Sequence, residues 1–235
     1  MSTTGEALGR GPRTNLKDEV AQHVRDLILS GTVHAGERID QDDIAEKVGV
    51  SRLPVREALI MLEAEGLVVN IARRGAFVAP LSPDDISDHF EMYGLLAGLA
   101  AARVARSDKQ PELLATLEDI QRRMRAARDG DELDELNFAF HQAINRAGTS
   151  RRLRSVLRML SNNMPTHFFS RSVERDWQER ALDEHEVIIA ALRARDDTLA
   201  SQATAEHFRH TAEQAIHLLQ EQGFWSDDRS RSGEA

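Results

Sequence analysis

Two arginines near the start of a predicted helix are well suited to direct contact with a ligand, and they occur in the run Ser51-Arg52-Leu53-Pro54-Val55-Arg56-Glu57-Ala58-Leu59. Ser51 is a residue type that caps helix N-termini, and Pro54 falls where helical N–H groups are still free. Arg52 and Arg56 are four residues apart and therefore share one helix face. Two guanidinium groups on the first turns of a helix can donate to guanine edges in the major groove of DNA.

The elements that must position this helix follow the order of a helix-turn-helix. Apolar spacing predicts a first helix over 16–30, ended by Gly31, and a short second helix over 41–48. Gly49 then turns the chain into the helix that carries the arginines, and this is helix-turn-helix spacing.

A basic hairpin is predicted after the third helix. The runs 67–71 and 76–78 have strand-like composition, and Arg73-Arg74-Gly75 forms the tip between them. Such a tip can lie on phosphates or enter a minor groove. Taken alone, an Arg-Arg tip or a helical arginine pair is most often solvated, but the complete order of elements favours DNA contact.

Residues 14–80 resemble the GntR family of bacterial transcription regulators. The matching motifs are Gly36-Glu37-Arg38-Ile39, Ile44-Ala45-Glu46-Lys47-Val48-Gly49-Val50-Ser51-Arg52 and Pro54-Val55-Arg56-Glu57-Ala58-Leu59. The resemblance implies that Arg52 and Arg56 contact operator bases and that the wing, Arg73 to Gly75, reaches the minor groove. Ser51 and Pro54 complete the expected DNA-binding set.

Two positions depart from the GntR pattern. Leu53 stands where the family often has threonine, and Asp42 stands where some members carry a further DNA-binding arginine. Both departures bear on the operator sequence and leave the expected DNA-binding role in place.

Composition limits the class of protein. The chain has 235 residues, with 41% hydrophobic and 29% charged residues, which is typical of a globular protein. It has no cysteine, which excludes disulfides and thiolate zinc sites. No signal-peptide pattern or membrane-spanning run is predicted, so we expect a cytoplasmic protein with no membrane partner.

The charge balance argues against a non-specific nucleic-acid binder. The net charge is −9, and residues 1–80 carry 10 Lys+Arg against 12 Asp+Glu. A non-specific binder needs a strongly basic domain, whereas a specific binder needs only a local positive patch. We therefore expect affinity that depends strongly on DNA sequence.

The remainder of the chain predicts a helical bundle. Ser82 can cap a helix that starts with Pro83. The predicted helices are 83–106, 110–129, 131–147, 150–163, 175–195 and 197–222, with 164–173 ambiguous. The fold class is thus mainly α, with a winged helix-turn-helix over 13–80, a helical effector-binding and dimerisation domain over 81–223, and flexible tails over 1–12 and 224–235.

Three histidines in this bundle are predicted to point inward. Helical spacing places Asn137 and His141 on the core face of one helix, and His185 and His207 on the core faces of two others. Each histidine alone is more often structural than functional. Together, three neutral imidazoles and an amide can bind zinc, nickel, iron or manganese.

Residues 83–223 resemble the all-helical FCD ligand-binding domain of FadR-type regulators. Members with a metal site have an aspartate, a histidine four residues later and two further histidines, and the matching order here is Asn137, His141, His185 and His207. The asparagine is a departure, since an amide oxygen coordinates without a negative charge. The resemblance implies a divalent metal, with zinc expected and nickel or manganese as alternatives.

The resemblance also implies a small carboxylate effector, commonly clamped by an arginine that is followed four residues later by a glutamate. Tyr93 and Ala97 occupy these two positions. Either the metal alone holds the carboxylate or the effector differs, and Tyr93 is the candidate pocket residue. Further cations leave the choice open: Arg103, Arg151, Arg152, Arg154 and Arg158. The other histidines, His89, His167, His210 and His217, are expected at the surface, with support of His207 as the alternative for His210.

The expected function is a sequence-specific transcription regulator and not an enzyme. We expect a repressor that binds a palindromic operator in double-stranded DNA as a homodimer and responds to a small molecule. One alternative is a metal-dependent enzyme, although His-Glu-x-x-His and paired Glu-x-x-His motifs are missing from the sequence. Another is a metal-free regulator whose histidines are structural.

Overall fold

The computed structural model describes residues 15–108, 110–162, 175–221 and 223–225. The chain divides into two compact units, Met1–Pro80 and Leu81–Ala235. The predicted class is confirmed: the described residues are mainly helical, with one two-stranded sheet. None of their helices is long and apolar enough to span a membrane. The expected tail 1–12, the ambiguous segment 164–173 and His167 lie outside the described residues.

The first unit has the predicted order of three helices and a hairpin. Its elements are α1 (Leu16–Leu29), α2 (Gln41–Val48), α3 (Arg52–Ala64), β1 (Val68–Ile71) and β2 (Gly75–Val78). The strands are antiparallel, with Val68 opposite Val78. Residues 36–39 lie along the free edge of β2, where the Ile39 N–H donates to the Ala76 carbonyl at 2.9 Å.

Local hydrogen bonds and backbone conformation define the two ends of α2, the helix that precedes the turn into α3. The Asp40 carboxylate caps α2 by accepting from the backbone N–H groups of Asp42 and Asp43. These hydrogen bonds lower the pKa of Asp40. Gly49 ends the helix with φ 73°, a left-handed conformation that suits glycine. Asp40 thus sets the start of α2, and Gly49 sets the turn into α3.

A buried ion pair joins α1 to the end of α3. Arg25 donates to both oxygens of Glu65, at 2.7 and 3.0 Å. Both side chains are buried, so loss of either partner would leave an uncompensated charge. The pair holds the base of α3 against α1.

The second unit contains the predicted bundle. Its described helices are α4 (Pro83–Ala105), α5 (Gln110–Ala126), α6 (Gly130–Gly148), α7 (Arg151–Asn162), α8 (Arg175–Arg193) and α9 (Asp197–Glu221). The predicted cap of α4 is a capping box, in which Ser82 accepts from the Asp85 N–H and Asp85 accepts from the Ser82 N–H.

Two predicted helix ends were placed too late. We expected α5 to reach residue 129, but Asp129 caps α6 by accepting from the Asp131 N–H at 3.2 Å. We expected α8 to reach residue 195, but Arg195 has φ 55° and Asp196 accepts from the Leu199 N–H. In both cases the connection between the two helices ends at an aspartate that caps the second helix.

Two residues of the predicted C-terminal tail pack within the helical unit. Phe224 and Trp225 fall within the predicted tail 224–235, yet both pack against the core of the helical unit. The Trp225 indole Nε1–H donates to the Leu81 carbonyl at 2.5 Å. Apolar burial and this hydrogen bond retain the two residues in the unit.

Small residues allow α4 to pack closely against its neighbours. Gly94 and Gly98 face α9, and a Cβ at Gly98 would lie 2.7 Å from the Ser201 carbonyl oxygen. On α6, a Cβ at Gly148 would lie 2.1 Å from the Ala100 carbonyl oxygen. Real Cβ atoms do not approach backbone this closely, so the helix spacing requires glycine at both places.

Gly148→Ala should destabilise the protein by about 2 kcal/mol or more, because the added methyl group forces α6 away from α4. Urea denaturation followed by circular dichroism measures this change in the free energy of unfolding. Ser155→Ala, an exposed small-to-alanine change on α7, is the control and should stay within about 0.5 kcal/mol. Equal stability of the two variants would contradict the close packing.

Candidate metal centre and nucleic-acid interface

The exposed face of α3 carries both predicted base-contacting arginines. Val55, Leu59 and Leu62 are buried in the core of the first unit. Arg52 and Arg56 are exposed on the other side of the helix. Apolar contact with a thymine methyl group is also open to this face, because Leu53 is 64% exposed.

Ser51 is the N-cap of α3, as predicted, but it does not cap through its side chain. Ser51 occupies the N-cap position in extended backbone, but in the described structure its side chain makes no capping hydrogen bond. Pro54 is the third helical residue and has no N–H, which removes a usual partner of a serine cap. The Ser51 hydroxyl thus remains available at the start of α3.

Asp42 holds Arg52 on the free protein. Arg52 Nη2 lies 2.6 Å from one Asp42 oxygen, and Arg52 Nε also contacts the carboxylate. Both side chains are largely exposed, so the pair contributes at most about 1 kcal/mol to stability. Its main effect is to fix the direction of the Arg52 guanidinium group and to neutralise its positive charge.

Two arginines lie in the wing, and a third, Arg38, lies beside it. Arg73 lies at the tip with φ 65°, and the Arg74 guanidinium lies 5.4 Å above the Phe77 ring centroid. Arg38 was not predicted as a DNA contact, yet its Nε would be 3.5 Å from a Cβ placed at Gly75. Its place in the Gly36–Ile39 motif was the signal that could have indicated it.

Arg56→Ala should weaken operator binding about tenfold or more, because a bidentate base contact contributes about 1–3 kcal/mol. Arg73→Ala should weaken binding to all sequences and reduce the salt dependence by about one counterion. Fluorescence anisotropy on DNA selected by the wild-type protein measures both. Arg122→Ala, an exposed change in the helical unit, is the control, and an equal loss there would contradict the assignment.

Three buried histidines converge in the second unit from α6, α8 and α9. His141 Nε2 lies 3.1 Å from His207 Nε2 and 3.2 Å from His185 Nε2. The ligand atoms of all three lie within 4.8 Å of one another. The structure therefore brings together the three histidines predicted as ligands.

These histidines favour a cation at their centre. Burial holds the pKa values of His141 and His185 well below the usual range, and the positive charge of His207 would lower them further. Neutral imidazoles have one lone pair each. Because one N–H on His141 can donate to only one neighbour, three facing Nε2 atoms are better satisfied by a shared metal ion than by one another.

Glu184 supports this cluster, although no pattern in the sequence indicates this role. One carboxylate oxygen lies 2.8 Å from His207 Nδ1 and the other 2.5 Å from His210 Nδ1. Burial raises the pKa of Glu184, but the hydrogen bonds with the two histidines outweigh this and leave the pKa lowered. A proton on His207 Nδ1 directs the Nε2 lone pair into the cluster.

The expected surface placement of His210 was therefore wrong, because it is half-buried and contacts Glu184. The signal available in sequence was its position one turn after His207. His217 is exposed, as expected, and pairs with Glu221.

Asn137 lies one turn before His141 and has an orphaned oxygen. Its Oδ1 is buried and has no hydrogen-bond partner among the described residues. An amide oxygen added to three imidazole nitrogens would make a ligand set that suits a divalent ion of intermediate softness such as zinc. The residues present thus fit a metal ion, and its ligands would be His141, His185, His207 and Asn137.

The predicted effector residue Tyr93 is buried beside α6. Asn145 Nδ2 donates to its hydroxyl at 2.9 Å, and its ring packs 4.6 Å from that of Phe208. Burial raises the pKa of Tyr93, so the phenol is neutral at ordinary pH. The residue also lines a cavity of about 170 Å³.

A winged helix-turn-helix with outward arginines, joined to a helical unit with a buried polar cluster, defines a DNA-binding regulator. Residues 16–78 match the bacterial regulatory proteins of the gntR family, and residues 88–210 match the FCD domain. The chain belongs to the gntR family of transcription regulators with an FCD domain.

Curated relatives and solved structures agree with this class. An HTH-type transcriptional regulator of Mycobacterium tuberculosis is 34% identical over 65% of this chain, which spans 62% of that relative. The gluconate operon transcriptional repressor of Bacillus subtilis is 30% identical over 80% of each chain. E. coli McbR/YncC has a TM-score of 0.62 at 22% identity, covering 89% of this chain and 99% of that one, and shows the fold.

Metal content gives a direct test of the histidine cluster. Protein purified without a nickel column should contain about one divalent ion per chain, and His141→Ala should lose it. Glu184→Gln should weaken metal affinity about 10–100-fold, because such supporting residues orient the ligand. Inductively coupled plasma mass spectrometry and chelator competition measure both effects, with His217→Ala as the exposed control. Equal metal content in wild type and His141→Ala would exclude the site.

Proposed function

We propose that this protein is a repressor that binds a palindromic operator as a homodimer and is regulated by a small carboxylate at a metal site. Zinc is the proposed metal, with nickel or manganese as alternatives. The ligands are Asn137, His141, His185 and His207. Ser51, Arg52, Pro54, Arg56 and the wing residues Arg73, Arg74 and Gly75 form the proposed DNA-binding set.

The convergence of three Nε2 atoms is the observation that carries the regulatory part of this proposal. A merely structural histidine cluster would satisfy its nitrogens with neighbouring acceptors. Instead the His185 Nδ1 and the Asn137 Oδ1 are buried without partners in the described structure, and the Nε2 atoms face one another. Such an arrangement supports a bound cation better than an empty core.

A carboxylate suits the charge of this centre. Three imidazoles and an amide bring no negative charge, so a divalent ion there retains its full positive charge. The nearest carboxylate in the hydrogen-bond network, Glu184, contacts His207 through Nδ1, on the ring side away from the cluster. An anionic ligand would complete the coordination and neutralise the ion.

An exposed apolar stripe on α4 supports the homodimer. Met92, Leu95 and Leu99 recur at helical spacing and are 40–60% exposed. Such a stripe is a candidate interface between two copies. Two α3 helices related by twofold symmetry would then match the symmetry of a palindrome.

The proposed switch is a change in population. An effector that binds the metal more tightly in one arrangement of the bundle shifts the protein toward that arrangement. The spacing or freedom of the two DNA-binding heads then changes, and with it the operator affinity. The coupling is reciprocal, so operator DNA should also lower the affinity for the effector.

Small carboxylates should release operator DNA from zinc-loaded protein and leave metal-stripped protein bound. Fluorescence anisotropy with citrate, lactate and gluconate as probes measures this, and light scattering gives the oligomeric state. Asn137→Asp should retain zinc more strongly and require a higher carboxylate concentration, because the added charge offsets that of the ion.

Equal operator affinity with and without each carboxylate, with zinc present, would remove the switch. An unchanged melting temperature after metal removal would favour the alternative of a metal-free regulator with structural histidines. A monomer at micromolar concentration with full operator affinity would contradict the dimer.

A further inference from the structure

The cavity beside Tyr93 in the helical unit is lined by residues of α4, α6 and α7. Its volume is about 170 Å³, and none of the clustered histidines lines it. An engineered cavity of about 150 Å³ accepts benzene, so this volume suits a small molecule. Three arginines line it: Arg146, Arg154 and Arg158.

The positive charge of the rim is not neutralised locally. The lining residues include no carboxylate among those the structure describes. Helix α7 contains four arginines and no acidic residue, in a chain with a net charge of −9. Such a concentration of like charge is unfavourable without an anionic partner.

Two of the three arginines are available for a ligand. Arg154 is engaged, because its Nη2 donates to the backbone carbonyls of Arg146 and Thr149 at the end of α6. The guanidinium groups of Arg146 and Arg158 have no hydrogen bond or ion pair with any residue in the described part of the chain.

The floor of the cavity is polar and buried. Tyr93 is 4% exposed and Asn145 is 7% exposed, and the Tyr93 hydroxyl is hydrogen-bonded to the Asn145 amide. Leu157 supplies the apolar wall. A concave site with a few convergent polar groups and an apolar wall is typical of small-ligand sites.

We propose that this cavity binds a small oxyanion through the guanidinium groups of Arg146 and Arg158, with Tyr93 and Asn145 at its base. The shared chemistry of its ligands is a compact group of anionic oxygens, as in a dicarboxylate or a phosphate. This inference goes beyond the proposed function, because it needs no metal.

The cavity also contacts the elements that carry the histidine cluster. Asn145 lies one helical turn after His141 on α6. The Phe208 ring packs 4.6 Å from Tyr93 and 4.7 Å from His141. An anion on the arginines therefore acts on the same helix and the same aromatic ring that position the metal ligands.

Isothermal titration calorimetry on the full-length protein tests the inference, with sodium phosphate and disodium succinate as probes at constant ionic strength. One of the two should bind saturably at one per chain, and the tighter one identifies phosphate or carboxylate as the preferred chemistry. Arg146→Gln and Arg158→Gln should each weaken binding about tenfold or more, since each removes a charge-assisted hydrogen bond. Arg152→Gln, an exposed change on α7 outside the cavity, should stay within about twofold.

Absence of saturable binding for both probes would overturn the inference, and so would an equal loss in Arg152→Gln, which would indicate diffuse attraction. Titration of metal-stripped wild-type protein separates this site from the metal site and should retain the binding. If metal removal abolishes the binding while Arg158→Gln does not, the anion binds the metal, and the proposed function stands without this cavity.

Discussion

The close approach of α4 to α9 and α6 is the constraint on which the helical unit depends. Gly98 and Gly148 admit neighbouring backbone where any side chain would collide, so these helices lie nearer than side-chain packing usually allows. Because α6 and α9 carry His141 and His207, this spacing also sets how near their imidazoles can come. Two of the three helices that carry the clustered histidines therefore pack against α4 through glycine contacts.

Burial and charge are balanced differently in the two units. Within its described residues, the first unit buries the ion pair of Arg25 with Glu65 and leaves the other arginines exposed to an external partner. The second unit buries three imidazoles and places Glu184 against one of them, His207. The difference follows from the cost of desolvating charged groups. A polyanion can bind charges that stay at the protein surface, whereas a buried site can enclose only a small ion.

The sequence predicted the elements well, because caps, glycines and apolar spacing act locally. Asp40, Gly49 and Ser82 mark helix ends through contacts within a few residues, and the three histidines follow from helical periodicity. The meeting of their Nε2 atoms could only be inferred from resemblance, because it depends on how three helices pack. Glu184 was missed for the same reason, since its partners His207 and His210 come from another helix. Ser51 occupies the predicted N-cap position without a capping hydrogen bond, and Pro54 at the third helical position lacks the N–H that such a bond commonly uses.

The pairing of Arg52 with Asp42 has a consequence for how ionic strength acts on the protein. Salt dependence of DNA binding arises mainly when protein cations neutralise phosphates and release the counterions condensed on the DNA, which makes association entropically favourable. Arg52 already has an internal anion, so fewer ions are exchanged when it leaves Asp42 for a base. Recognition through this residue is an exchange of one partner for another, and it should vary less across changing salt than recognition through the wing.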